Sequence, residues 1–211
     1  MRLYLSSFDI GDDPDELVKL APHGRVGIIM NALDNRPEGR QKWQIAQTEK
    51  LEDLGFSVTP FDLRDHFGKG SDLEAKLTQL DAVWVNGGNA FVLRRAMALS
   101  SFDKAIKAAL AEDRIAYAGF SAAAVVLHKS LRGLELVDDP HDVPEGYPRD
   151  VPWDGLDVLP FSIVVHFDSD HPESLGARQE ADFYRKNGIA FTALKDGQAL
   201  VVANGPAFIV P

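Results

Sequence analysis

Apolar positions along the chain follow two rhythms. Short runs rich in Val and Ile alternate with longer stretches whose apolar residues recur near helical spacing, the pattern of strands and helices wound into a parallel sheet. Residues 2–6, 25–31 (RVGIIMN), 57–63, 82–85 and 115–120 read as strands. Residues 15–20, 40–54, 72–80, 90–97 and 102–112 read as helices between them. In the stretch 40–54 the recurring apolar residues are Trp43, Ile45, Ala46, Leu51 and Leu54, and Gly55 supplies the stop. The expectation is an α/β fold of three layers, a largely parallel sheet with helices on both faces.

Residues 137–157 interrupt this rhythm. Pro140, Pro144, Pro148 and Pro152 stand among acidic residues, which predicts a long loop, either a lid over a binding site or an inert excursion. Beyond it, residues 161–167 read as a strand, 173–186 as a helix closed by Gly188, and 191–194, 199–203 and 207–210 as strands of a terminal meander. Length and the absence of internal repeats favour a single domain over residues 1–211.

Composition narrows the chemistry. Apolar residues make up 45% and charged residues 26% of the 211, as in ordinary globular proteins. The formal net charge is −10, which repels nucleic acid and anionic membrane surfaces and makes either an unexpected partner. The start MRLYLSSFDIGDD has no basic region followed by a long apolar one, so the expected location is cytoplasmic. There is no cysteine, which excludes disulfides, thiolate metal sites and every thiol nucleophile. No cofactor is implied, and free strand edges could support a homodimer.

The segment IAYAGFSAAAVVL (115–127) sets Ser121 between an apolar strand and an apolar helix start. In such an elbow the serine backbone is strained, and residues two positions away must be small; Gly119 and Ala123 meet that demand. The helix starting at Ala122 would direct its first amides at the reaction centre. A plain helix cap would also put a serine here. Residues 85–89 (VNGGN) add a strand ending in Gly87-Gly88, where the main chain can approach a ligand closely; a tight turn is the simpler alternative.

Among the histidines, His23, His66 and His141 read as solvated and His128 as a surface or packed residue. His166 ends an apolar strand and can reach the same rim as Ser121, with His171 its competitor as base. Asp196, in a turn between two late strands, is the first choice to orient the imidazole, with Asp168 and Asp170 as local alternatives. Trp43, Trp84 and Trp153 read as core or loop anchors.

These segments together resemble the S51 peptidases, the group of aspartyl dipeptidase (peptidase E) and cyanophycinase. The resemblance is carried by residues 3–7 (LYLSS), 85–94 (VNGGNAFVLR), 119–123 (GFSAA), 131–136 (LRGLEL) and 166–173 (HFDSDHPE). It implies a fold like the class I glutamine amidotransferases (flavodoxin-like), with Ser121 as nucleophile, His166 as base and the amides of Gly88 and Ala122 as oxyanion hole. Asp196 matches the place where peptidase E relatives carry a glutamate, and Ala123 replaces the last glycine of the family's usual Gly-x-Ser-Ala-Gly. The implied reaction is serine-type hydrolysis of short peptides through an acyl-enzyme, with N-terminal aspartate as a candidate preference. Asn89 and Arg178 are the substrate-binding candidates. Two rival readings remain: a non-catalytic amidotransferase-like binding protein, and a metal-dependent hydrolase using His166, Asp168, Asp170 and His171 on an extended segment.

Overall fold

The computed structural model describes residues 1–22 and 24–211, without the side chains of Gly70 and Ser71; the reading of His23 as solvated lies outside the described residues. In chain order the elements are β1 (Arg2–Ser6), α1 (Asp15–Leu20), β2 (Arg25–Ile29), α2 (Pro37–Asp53), β3 (Ser57–Pro60), α3 (Gly70–Leu77), β4 (Ala82–Val85), α4 (Ala90–Leu99) and α5 (Phe102–Ala111). They continue with β5 (Ala116–Phe120), α6 (Ala122–Val125), β6 (Ser162–Val164), α7 (Ser174–Asn187), β7 (Phe191–Ala193), β8 (Ala199–Ala203) and β9 (Phe208–Val210).

Seven strands form one sheet in the order β3-β2-β4-β5-β1-β8-β9. The first five are mutually parallel, and β8 and β9 add antiparallel strands at one side. Each central strand is apolar on both faces, and the period of two divides its residues between two cores. Leu3, Leu5, Val83, Val85, Tyr117, Leu200 and Val202 pack into the cluster that holds α4 and α5. Tyr4, Ile28, Trp84, Ala118 and Val201 pack into the other, with α1 and α2. This is the three-layer α/β architecture. Among the described residues no helix is long and apolar enough to cross a membrane.

The departures from the sequence reading have local causes. Only part of the expected terminal meander forms: β8 and β9 pair antiparallel, but β7 leaves the main sheet and pairs in parallel with β6 as a separate two-stranded sheet. β6 is short because the backbone turns at His166, whose φ is 57°. The strand at residues 57–63 ends at Pro60, and a 3-10 turn at Leu63–His66 follows, capped by the Asp62 carboxylate. His66 is therefore buried, stacked on Phe61 at 5.6 Å, and not solvated. α6 is a single turn, because the carbonyls of Val126 and Leu127 accept amides from Leu156, Val158 and Leu159 and cannot serve a longer helix. His128 is consequently a buried residue beside this returning segment.

Residues 137–157 form no helix or strand, as their prolines predict. They are nevertheless tied down. Arg95, only 2% exposed, donates to the carbonyls of Pro140, Pro148 and Asp150. Asp138 accepts the first amide of α4, and Tyr147 donates to Asp34.

Candidate active site

The parallel strands end together at the carboxyl edge, where β1, β4 and β5 deliver Ser7, Gly87 and Ser121. Ser121 has φ 51° and ψ −111°, a backbone conformation that non-glycine residues rarely adopt. Such strain throws the side chain out of the strand-to-helix turn. The turn is possible because residue 119 is glycine: a Cβ there would stand 2.1 Å from the Val85 carbonyl oxygen and 2.7 Å from the Ala123 methyl. The extra methyl of Ala123 thus fits because Gly119 leaves it room. Tyr117 further fixes the turn by donating from its hydroxyl to the Ala123 carbonyl at 2.9 Å.

The Ser121 hydroxyl lies 3.3 Å from Nε2 of His166. Nδ1 of the same ring is 2.8 Å from Oδ1 of Asp196. A carboxylate only accepts, so Nδ1 carries the proton and Nε2 turns its lone pair to the serine. His166 is 2% exposed. Burial lowers its pKa below the ordinary value, against the opposing pull of Asp196, so the ring is a neutral base at neutral pH.

His166 reaches this rim differently from the sequence expectation. Its strand lies in the satellite sheet, and the link to the main sheet is Ser7. The Ser7 hydroxyl accepts the His166 amide at 2.7 Å and donates to Asp196 Oδ1 at 2.8 Å. The Asp196 amide in turn donates to Ser169 Oγ. Asp168 is not at the ring; it pairs with Arg178 at 2.7 Å.

Gly87 and Gly88 press against the serine turn. A Cβ at Gly87 would stand 3.1 Å from the Ser121 Cβ, and one at Gly88 2.6 Å from the Ala32 carbonyl oxygen. Among the described residues the amides of Gly88 and Ala122 donate to no protein acceptor, which leaves both available to a ligand.

A cavity of about 230 Å³ opens over this cluster, lined by Gly87, Gly88, Ser121 and His166 together with residues the sequence reading passed over. Phe8, Trp43 and Phe120 form an aromatic wall with ring centroids 5.8–6.1 Å apart. Trp43 is thus a wall residue of the cavity as well as an anchor. Among the described residues of the lining, Arg36 is the only arginine or lysine and Glu173 the only carboxylate, beside the two imidazoles of His166 and His171. Ser7 and Phe8 could have been suspected from their position just past a central strand, by the rule that pointed to Ser121. Arg36 carries no such signal, and Glu173 lies in the block 166–173 that carries the family resemblance, with no role assigned to it there.

The two substrate-binding candidates fall elsewhere. Asn89 caps α4, accepting the amides of Phe91 and Val92 and donating to the Asp139 carbonyl. Arg178 is exposed and held by Asp168. Neither lines the cavity, nor does any residue of the loop at 137–157.

The segment 166–173 is not extended: His166 and Asp168 both have positive φ, so alternate side chains do not converge as the metal reading requires. The group that does approach is His166, His171 and Glu173. The two imidazoles lie face to face, with centroids 3.7 Å apart and planes 8° from parallel, so their in-plane lone pairs lie in separate, nearly parallel planes. Two such donors cannot both point at one ion at the roughly 2.0 Å that a metal–imidazole bond demands.

The comparisons with known proteins bear on family and fold. The profile of peptidase family S51 matches residues 39–210. A Drosophila melanogaster protein named "Probable alpha-aspartyl dipeptidase" is 24% identical over 201 residues, which cover 93% of this chain and 76% of that protein. A protein of Listeria monocytogenes EGD-e assigned as a peptidase E has a crystal structure that superposes with a TM-score of 0.80 at 20% identity, covering 99% of this chain and 97% of that one. A peptidase from an acI-B1 Actinobacterium superposes at 0.70 with 15% identity, covering 99% and 86%. The structural matches speak for the fold, and the profile, spanning most of the sequence, speaks for descent. This chain belongs to peptidase family S51.

Proposed function

We propose that this peptidase is of the serine type and hydrolyses short peptides through an acyl-enzyme on Ser121. The observation that supports it is one continuous relay: Ser121 Oγ to His166 Nε2 at 3.3 Å, and His166 Nδ1 to Asp196 at 2.8 Å. His166 takes the hydroxyl proton as Oγ bonds to the peptide carbonyl carbon, and the oxyanion that forms is received by the amides of Gly88 and Ala122. The tetrahedral species collapses as the C–N bond breaks and Nε2–H passes its proton to the departing amine. Water, deprotonated by the same nitrogen, then attacks the ester and returns Ser121 to its starting state. Asp196 holds the ring in the required tautomer and balances the imidazolium charge.

The test is labelling with a fluorophosphonate followed by mass mapping of the adduct, beside turnover of a dipeptide panel by wild type and Ser121→Ala. The expected result is a single adduct on Ser121, and loss of turnover in a variant that keeps its fold. Full activity in Ser121→Ala would overturn the reading.

A further inference from the structure

We propose that His171 is a positioning residue for the base: its ring, laid flat on His166, keeps that imidazole in the plane that joins Ser121 to Asp196. This rests on the serine-type reading above and deepens it. His166 meets Ser121 at Nε2, 3.3 Å away, and Asp196 at Nδ1, 2.8 Å away. The lone pair and the N–H of an imidazole both lie in the ring plane. Contacts at the two nitrogens therefore leave one soft motion, a tilt of the ring about the line through them. The torsion nearest the ring, χ2, is broad in histidine and offers little resistance. What packs against the faces of the ring decides its tilt.

His171 supplies one such face. Its ring centroid lies 3.7 Å from that of His166 with the planes 8° apart, which is van der Waals contact across the stacked rings. Aromatic pairs left to themselves prefer offset or edge-on arrangements, so the parallel stack is imposed from outside. Its source is the chain leading into α7. The Glu173 amide donates to His171 Nδ1 at 3.2 Å, and the Ser174 amide donates to the His171 carbonyl at 3.0 Å. His171 is thus fixed through both ring and main chain to the start of a 14-residue helix that is buried along Ala177, Ala181 and Tyr184. Phe8, which also touches Trp43 and Phe120, meets both imidazoles, 6.0 Å from His166 and 5.5 Å from His171. This support is complete without a ligand. His171 also lines the cavity, so contact with the ligand is the competing role that the experiment must separate.

The experiment follows fluorophosphonate labelling of Ser121 at pH 7, as a function of reagent concentration, in wild type, His171→Phe, His171→Asn and His171→Ala. Phenylalanine keeps a flat face and loses the nitrogen acceptor; asparagine keeps an acceptor and loses the ring; alanine loses both. The maximal labelling rate of His171→Phe is expected to exceed that of the two ringless variants by about fivefold or more, because a tilted base misaligns the proton transfer. A smaller ratio overturns the inference. So does a loss confined to the half-saturating concentration, which would mark a ligand contact. The Nδ1 proton of His166, observed by NMR, gives a second reading: it should exchange with water faster in the ringless variants than in His171→Phe, and equal exchange in all three overturns the inference. Thermal unfolding checks that each variant folds. Either ringless variant serves the comparison if the other is lost, and His171→Tyr replaces His171→Phe on the same terms. Failure of the reagent to label wild-type Ser121 at all overturns the serine-type reading itself, and this inference with it.

Discussion

Ser7 holds His166 by its backbone: the serine hydroxyl accepts the histidine amide at 2.7 Å and passes its own proton to Asp196. One buried side chain thus fixes the proposed base and the carboxylate behind it, and joins the segment after the satellite sheet to the central one. Removing the hydroxyl leaves a buried N–H without an acceptor, a loss of about 1–3 kcal/mol. Ser7→Ala is expected to lower stability by that amount in urea unfolding. It should also lower kcat by about tenfold, with a smaller change in KM, since the ring is misplaced and the cavity lining is not.

The pH dependence follows from the burial of His166. Burial lowers its pKa below 6.5, and protonation destroys the lone pair that receives the serine proton in the proposed mechanism. Activity is therefore present above that pKa and lost as the pH falls through it, so the acid limb of kcat/KM should lie below 6.5. Asp196 raises the pKa, and in Asp196→Asn the limb should move to still lower pH while kcat drops by about a hundredfold or more. Asp168→Asn, which breaks only the pair with Arg178, should stay within threefold of wild type. A limb above pH 7 in the wild-type profile would contradict this account.

The contact between Gly119 and Ala123 makes two substitutions unequal. Gly119→Ala drives a methyl into the Val85 carbonyl oxygen at 2.1 Å, and folded protein should not be recovered in useful yield. Ala123→Gly restores the family's more usual motif at a cost of about 0.5–1 kcal/mol in a helical turn. It should label with fluorophosphonate within threefold of the wild-type rate. Thermal unfolding and labelling kinetics on the two proteins decide both points.

A buried carboxyl outside the site gives a stability prediction. Glu180 on α7 is 1% exposed and accepts one hydrogen bond from Tyr184 at 2.8 Å. Burial, with the charges of Asp138 and Glu135 adding to it, pushes its pKa up to about 8. A raised carboxyl pKa means that the folded protein binds a proton the unfolded chain has released. Its contribution to stability is therefore full in acid and is lost as the pH rises toward and through about 8. Glu180→Gln should match wild type near pH 5 and exceed it by about 1–3 kcal/mol at pH 9, read from urea midpoints. No difference at pH 9 would refute the assignment.

Much of this protein can be read along the chain. The short continuous apolar runs at residues 2–6, 82–85 and 115–120 announce buried parallel strands, since each is apolar on both faces, and the helical spacing between them announces the covering layers. Ser121 is legible for a local reason, as a hydroxyl between a strand and a helix whose neighbours are Gly119 and Ala123. What failed depended on partners remote in sequence. Residues 191–194 have the composition of a strand, but nothing local says that they pair with β6 and not with β8.

By itself, then, the sequence determined the layers, the elbow and the exclusion of thiol chemistry, because these rest on periodicity, on steric allowance at single positions and on which atoms are present. Only the tertiary structure decided that Ser7 carries His166 to the sheet edge, that Glu173 and Arg36 share one cavity wall, and that Arg178 is spent on Asp168. The physical reason is that a side chain's role is set by its distance and direction to partners, and these are fixed only when segments from different parts of the chain have packed.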